Sequence, residues 1–97
     1  MSSQLMSVDF EVYGKVQGVY FRKYTEQKAR ELNLRGWCMN TDKGTVTGKL
    51  EGSREKIEEM KKWLTNVGSP KSKIDKAEFK NEQTINKSSF KQFDIRR

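Results

Sequence analysis

The sequence predicts an α+β sandwich in which two helices cover one face of a mostly antiparallel sheet. Three observations support this. Alternating apolar and polar residues read as half-buried strands, notably Val8, Phe10 and Val12 against Asp9, Glu11 and Tyr13. Two longer stretches carry mostly apolar residues at helical spacing: Phe21, Thr25, Ala29 and Leu32 in one, Ile57, Met60, Leu64 and Val67 in the other. Along the chain these runs give strand, helix, strand, strand, helix, strand and a short terminal strand.

Residues 1–7 read as a loose tail, and residues 8–13 as the first strand. A glycine loop leads from it into the first helix. Residues 33–36 end that helix, with Gly36 as the turn residue. Residues 37–41 form the second strand, and Asp42-Lys43-Gly44 the tight hairpin turn after it. In the third strand Val46, Gly48 and Leu50 alternate with Thr47, Lys49 and Glu51. Ser53 is the candidate N-cap of the second helix. Residues 66–73, with Gly68 and Pro70, form a loop. Residues 74–80 are a strand, residues 81–89 a polar turn or mobile loop, and residues 90–96 a last strand with Phe93 and Ile95 facing in. This βαββαβ order is the ferredoxin-like, split βαβ arrangement. The scaffold is widely reused, so the order alone fixes no function.

Ninety-seven residues suit one domain, spanning 1–97, with no repeat, low-complexity stretch or linker. Twenty basic residues against thirteen acidic ones leave a net charge of +7, which favours anionic partners in general. No apolar run approaches the ~20 residues of a spanning helix. The N-terminus lacks the pattern of a signal peptide. A lone cysteine, Cys38, cannot staple the chain internally. The expectation is a cytoplasmic protein that does not insert into membranes. The absence of histidine constrains the chemistry more sharply. It removes the usual acid–base group near neutral pH, the Ser-His-Asp triad, the Cys-His pair and histidine metal ligands. An enzyme built on this chain works by positioning and electrostatics, on a substrate that already carries a good leaving group.

Gly14-Lys15-Val16-Gln17-Gly18-Val19-Tyr20-Phe21-Arg22 is the most informative stretch. A glycine-bounded loop leaves a strand, enters a helix and ends in an arginine. Loop amides and the free N–H groups of a helix start point at a negative oxygen. An arginine adds a planar fork of donors matched to phosphate. Arg22 also stands where the helix dipole disfavours a cation, which makes sense if an anion binds there too. The loop lacks the Gly-Lys-Ser/Thr end of a triphosphate loop and the glycine spacing of a dinucleotide site. Asn40 reads either as a hairpin residue tying its amide to the turn or as a carboxamide that orients an attacking water. Thr41 back-bonds to hold that turn or the water, and Lys15 sits at the rim. Cys38 reads as a small buried hydrophobe, not a nucleophile. Trp37, Phe93 and Ile95 read as core, with Trp63 beside the apolar stripe of the second helix.

The stretch from Gly14 to Arg22 resembles the first signature of the acylphosphatase family. Gly36-Trp37-Cys38-Met39-Asn40-Thr41-Asp42-Lys43-Gly44-Thr45-Val46, with Gly52 after it, resembles the second. The resemblance extends to the closing Phe93-Asp94-Ile95-Arg96; Tyr20 and Arg97 are positions of expected variation. It implies hydrolysis of acyl phosphates to a carboxylate and inorganic phosphate, with no metal and no other cofactor. Arg22 and the amides of residues 15–21 would bind the phosphoryl group, and Asn40 would orient the nucleophilic water. Gly14 and Thr41 would support the site. Small acyl phosphates are the expected substrates, with inorganic phosphate as product and competitive inhibitor, on a monomer.

Rival readings use the same topology. An RNA-binding module would stack bases on aromatics of the open sheet face. The outward residues expected here are Asp9, Glu11, Tyr13, Thr45, Thr47, Lys49 and Glu51, which form no such platform. A metal chaperone lacks its Cys-x-x-Cys pair. A non-catalytic anion-binding module would keep Arg22 but have no need of Asn40.

Overall fold

The computed structural model describes residues 5–96. Seven elements follow one another: β1 (Leu5–Lys15), α1 (Phe21–Glu31), β2 (Arg35–Asn40), β3 (Val46–Ser53), α2 (Arg54–Asn66), β4 (Lys73–Ile85) and β5 (Phe93–Ile95). The strands form one sheet in the order β4-β1-β3-β2-β5. β1–β3, β1–β4 and β2–β3 pair antiparallel, and β2–β5 pairs parallel. α1 packs over β2 and β5, and α2 over β1, β3 and β4. The expected α+β sandwich is therefore present.

The core lies between sheet and helices. Val8, Phe10 and Val12 of β1 and Val46 and Leu50 of β3 meet Phe21 and Ala29 of α1 and Ile57, Met60 and Leu64 of α2, all buried. Burying each large apolar side chain contributes about 1.5–3 kcal/mol, so this layer holds the helices down. Trp63 packs beside the α2 stripe, its ring 5.8 Å from that of Phe21.

Several expectations need correction. Leu5, Met6 and Ser7 belong to β1 rather than to a tail, pairing with residues 51–53 on one side and 83–85 on the other. The remaining tail residues, 1–4, lie outside the described residues, as does Arg97. β4 continues to Ile85, through residues read as loop. Asn81 takes a left-handed conformation, φ 55°, beside a register shift opposite Ser7 and Asp9, so the strand passes through a β-bulge. Its carboxamide donates to Asp9 at 2.8 Å, and Lys61 of α2 pairs with Glu82 just beyond. Residues 90–92 are irregular, and β5 holds only Phe93–Ile95. Val67 is 61% exposed and lies beyond α2, whose stripe ends at Leu64. Ser53 is the N-cap residue of α2 but makes no side-chain capping bond.

Gly36 is a strand residue, and the helix is ended by Asn33 at φ 59°. At Gly36 a side chain would meet the Lys49 carbonyl at 1.9 Å, so the close approach of β3 requires glycine. Glu51 and Thr45 are not on an open face: both are buried, Glu51 to 3% exposure. The segment between β4 and β5 folds over Glu51, which accepts from the Ser88 hydroxyl at 2.8 Å and the Ser89 amide at 2.7 Å. That anchor shows why part of the polar segment is fixed in place.

Candidate active site

Residues 16–20 join β1 to α1. Val16 and Val19 are buried and pin the loop to the core, while Gly18 and Tyr20 are exposed. Gly18 has φ +73° with nothing within 4 Å of an added Cβ, so glycine serves the backbone conformation rather than close packing. Tyr20 is also left-handed, φ 59°, and 74% exposed. It is the N-cap of α1, with no side-chain cap and no acidic residue in the first turn. The Tyr24 amide makes a helical bond to the Tyr20 carbonyl at 3.1 Å. The N–H groups before Tyr24 therefore lack intrahelical acceptors, as at any helix start.

The residues that carry these amides line a cleft of about 650 Å³, together with Gly18, Asn40 and Ile95, among others. Among the described residues the half-buried Arg22 guanidinium makes no hydrogen bond or salt bridge to protein. Glu26 also lines the cleft, its carboxylate engaged by Arg30 at 3.4 Å. On the opposite wall, Asn40 ends β2, and its Oδ1 is buried with no hydrogen-bond partner among the described residues. The carboxamide is thus not tied to the turn, which removes one of its two sequence readings.

The turn is held by threonines instead. Thr41 Oγ1 lies 2.6 Å from Thr45 Oγ1 and accepts from the Lys43 and Thr45 amides at 3.2 and 3.3 Å. Thr45 donates its hydroxyl proton to Glu11 Oε2 at 2.6 Å. Since a carboxylate only accepts, the Thr41 hydroxyl is the donor to Thr45. The Thr45 bond holds the Glu11 carboxyl below its usual range, helped by Tyr13 and opposed by burial. Tyr13 stands between Glu11 and Glu78 at 3.1 and 3.0 Å, and its one proton serves one carboxylate at a time. Its phenol is pushed up to about 12, chiefly by the bond to Glu78.

Two elements distant in sequence therefore bring Gly18, Tyr20, Phe21, Arg22 and Asn40 to one cleft, with Val16 at its floor. Lys15 and Gly14 do not line it; both pair with β4 at the end of β1. Thr41 does not line it either; its hydroxyl bonds within the hairpin turn. Ile95 packs on the core and also lines the cleft. Phe93 is core, and Trp37 is half-buried under the Arg96 guanidinium, 4.3 Å from its ring centroid. Cys38 is buried, and burial pushes its thiol up to about 12, which suits a packing residue. Among the described residues no three His, Cys, Asp or Glu side chains come together, and no helix is long and apolar enough to cross a membrane.

The side chains of Gln17, Glu11 and Thr45 were not legible as parts of the site. Gln17 donates to the carbonyls of Thr41 and Thr45, both at 2.9 Å. The two threonines bracketing the hairpin turn were the one signal available in the sequence.

Fold and cleft together define an α+β sandwich with a cationic cleft at the start of its first helix. The family model for acylphosphatase matches residues 8–95. Acylphosphatase-2 of Rattus norvegicus is 55% identical over 96 residues, covering 99% of either chain. Among solved structures, an acylphosphatase from Bacillus subtilis superposes with a TM-score of 0.86 at 29% identity, covering 95% of this chain and 99% of its own. One from Coxiella burnetii superposes with a TM-score of 0.83 at 32% identity, covering 96% and 94%. The chain belongs to the acylphosphatase family.

Proposed function

We propose that this chain hydrolyses the carboxyl–phosphate bond of small acyl phosphates, giving a carboxylate and inorganic phosphate without a metal. One observation carries the assignment of residues. Arg22 and Asn40 line the same cleft at a helix start, and among the described residues neither the guanidinium nor the buried Asn40 Oδ1 has a protein partner. Arg22 and the amides of the 16–21 loop hold the phosphoryl oxygens, where charge-assisted bonds and the helix dipole act together. Asn40 Oδ1 accepts a hydrogen bond from the attacking water, which turns the water's lone pair toward phosphorus. The P–O bond to the carboxylate breaks as the bond from water forms. The leaving carboxylate has a conjugate acid of pKa ~4 and needs no general acid. The proton of the water passes to a phosphoryl oxygen, since no histidine is available. Such a reaction rests on positioning and charge stabilisation. Phosphate occupies the same cradle as a competitive inhibitor, and the enzyme acts as a monomer in the cytoplasm.

The test is hydrolysis of benzoyl phosphate in excess chelator by the parent, Arg22→Gln and Asn40→Ala. The parent turns over. Arg22→Gln loses turnover and phosphate affinity together, by about 10-fold or more each, the worth of a charged hydrogen bond. Asn40→Ala loses kcat while phosphate inhibition stays within about threefold. A folded parent that binds phosphate without turnover would reduce the chain to a non-catalytic anion-binding module. Chelator-sensitive turnover would sink the metal-free mechanism.

A further inference from the structure

The cleft is assembled from two walls that have no chain continuity. One is the loop between β1 and α1; the other is the β2–β3 hairpin that carries Asn40. Among the described residues, a single side chain of the loop hydrogen-bonds to the hairpin. Gln17 Nε2 spends its two N–H groups on the carbonyls of Thr41 and Thr45, each at 2.9 Å, across 24 and 28 residues of chain. These carbonyls are the two at the neck of the hairpin. That of Thr45 also accepts from the Thr41 amide at 2.9 Å, and that of Thr41 from the Gly44 amide at 3.3 Å. Gln17 therefore grips both strands of the hairpin at once, one residue beyond Asn40. Its chain neighbours Val16 and Gly18 line the cleft, and the buried Val16 and Val19 fix the loop from which it reaches. On its far flank the hairpin is held by Glu11 through Thr45 and Thr41. Among the described residues Asn40 Oδ1 has no hydrogen-bond partner, so the carboxamide depends for its aim on the backbone that Gln17 and Glu11 hold.

Resting on the function proposed above, we infer that Gln17 is a positioning residue for the reaction. Its carboxamide sets the separation between the phosphate loop and Asn40, so that a phosphoryl group seated in the loop finds its water already in line. It acts through Asn40 and touches no reacting atom. A misplacement of about 1 Å in such a constellation costs up to about 100-fold in rate.

A double-mutant cycle on benzoyl phosphate separates this role from that of a mere staple. Gln17→Met keeps the unbranched stem and removes both donors. In the parent background it should lower kcat by about 10- to 100-fold, with phosphate inhibition within about threefold. In the Asn40→Ala background the same substitution should change kcat by less than about threefold, since the residue it acts through is gone. Equal losses in both backgrounds would overturn the proposal, as would a loss of phosphate affinity matching the loss of kcat. Gln17→Glu provides a second arm should Gln17→Met fail to fold. Its carboxylate cannot donate, but its protonated form restores one donor, so kcat relative to the parent should recover as pH falls. A ratio that stays flat with pH contradicts the inference. A parent without turnover, or an Asn40→Ala enzyme as fast as the parent, overturns the proposed function and this role with it.

Discussion

Burying an unpaired amide oxygen costs about 1–3 kcal/mol, and Asn40 Oδ1 is in that condition. The cost makes sense at a site that must receive a water or substrate, and it yields a stability prediction separate from activity. Asn40→Ala should melt no lower than the parent in calorimetry, and at most a few degrees higher. A fall of several degrees would mean that the carboxamide ties the hairpin after all. Glu11 gives a pH test. Folding lowers its carboxyl below the usual range because its ionised form accepts the Thr45 and Tyr13 hydroxyls. The stabilisation is therefore complete above the unfolded value of about 4.3 and is lost as pH falls through the lower folded value. The gap in melting temperature between the parent and Glu11→Gln should be constant above pH ~5.5 and shrink below pH ~4. A gap unchanged down to pH ~3 would show that charge plays no part in the Thr45 contact. At this scale Arg22 and Asn40 were legible, because each stands in a local pattern with chemical meaning. The side-chain roles of Gln17 and Glu11 were not, because their partners lie 24 or more residues away.

Elements with a strong period were read correctly in kind and imprecisely in extent. α1 and α2 follow their apolar stripes, but Val67 completes the period on paper only. The α2 stripe ends at Leu64, and Gly68 turns the chain with its amide on the Trp63 carbonyl at 3.0 Å. β4 shows the opposite error. Residues 81–84 are polar and exposed, which reads as loop, yet residues 83–85 pair with the start of β1. A bulge at Asn81 keeps the ladder running by letting one residue adopt a left-handed backbone. Asn81→Val should cost about 1–2 kcal/mol in urea unfolding, the penalty for a β-branched residue at positive φ. Asn81→Gly should cost much less, since glycine accepts that conformation and only the bond to Asp9 is lost. Equal costs would show that the side-chain bond, not the backbone, holds the bulge.

At the scale of the whole molecule, a net charge of +7 faces the dianionic substrate of the proposed reaction. Long-range attraction between them is screened within about 10 Å at 0.1 M salt, whereas contacts inside the cleft are screened less. Raising sodium chloride from about 0.01 to 0.5 M should therefore lower kcat/KM for benzoyl phosphate several-fold while kcat stays nearly constant. A fall confined to kcat would place the salt effect in the chemical step and leave the surface charge to serve solubility. The architecture explains how so small a chain builds such a site. β3 is central and pairs antiparallel with both β1 and β2, so the loop leaving β1 and the hairpin joining β2 to β3 emerge at the same end of the sheet.

The sequence by itself determined the order of elements, the two signature stretches and the chemistry that a chain without histidine can perform. Periodicity, turn residues and motif spacing are local properties, and they survive in a one-dimensional reading. Tertiary structure alone decided that Leu5–Ser7 and residues 81–85 are strand, that Glu51 is buried under a loop, that Asn40 Oδ1 has no hydrogen-bond partner among the described residues, and that Gln17 clasps the hairpin. Each of these depends on which distant backbone group lies opposite a given residue. A β-sheet sets that by register, and one residue of slip would send every side chain to the other face.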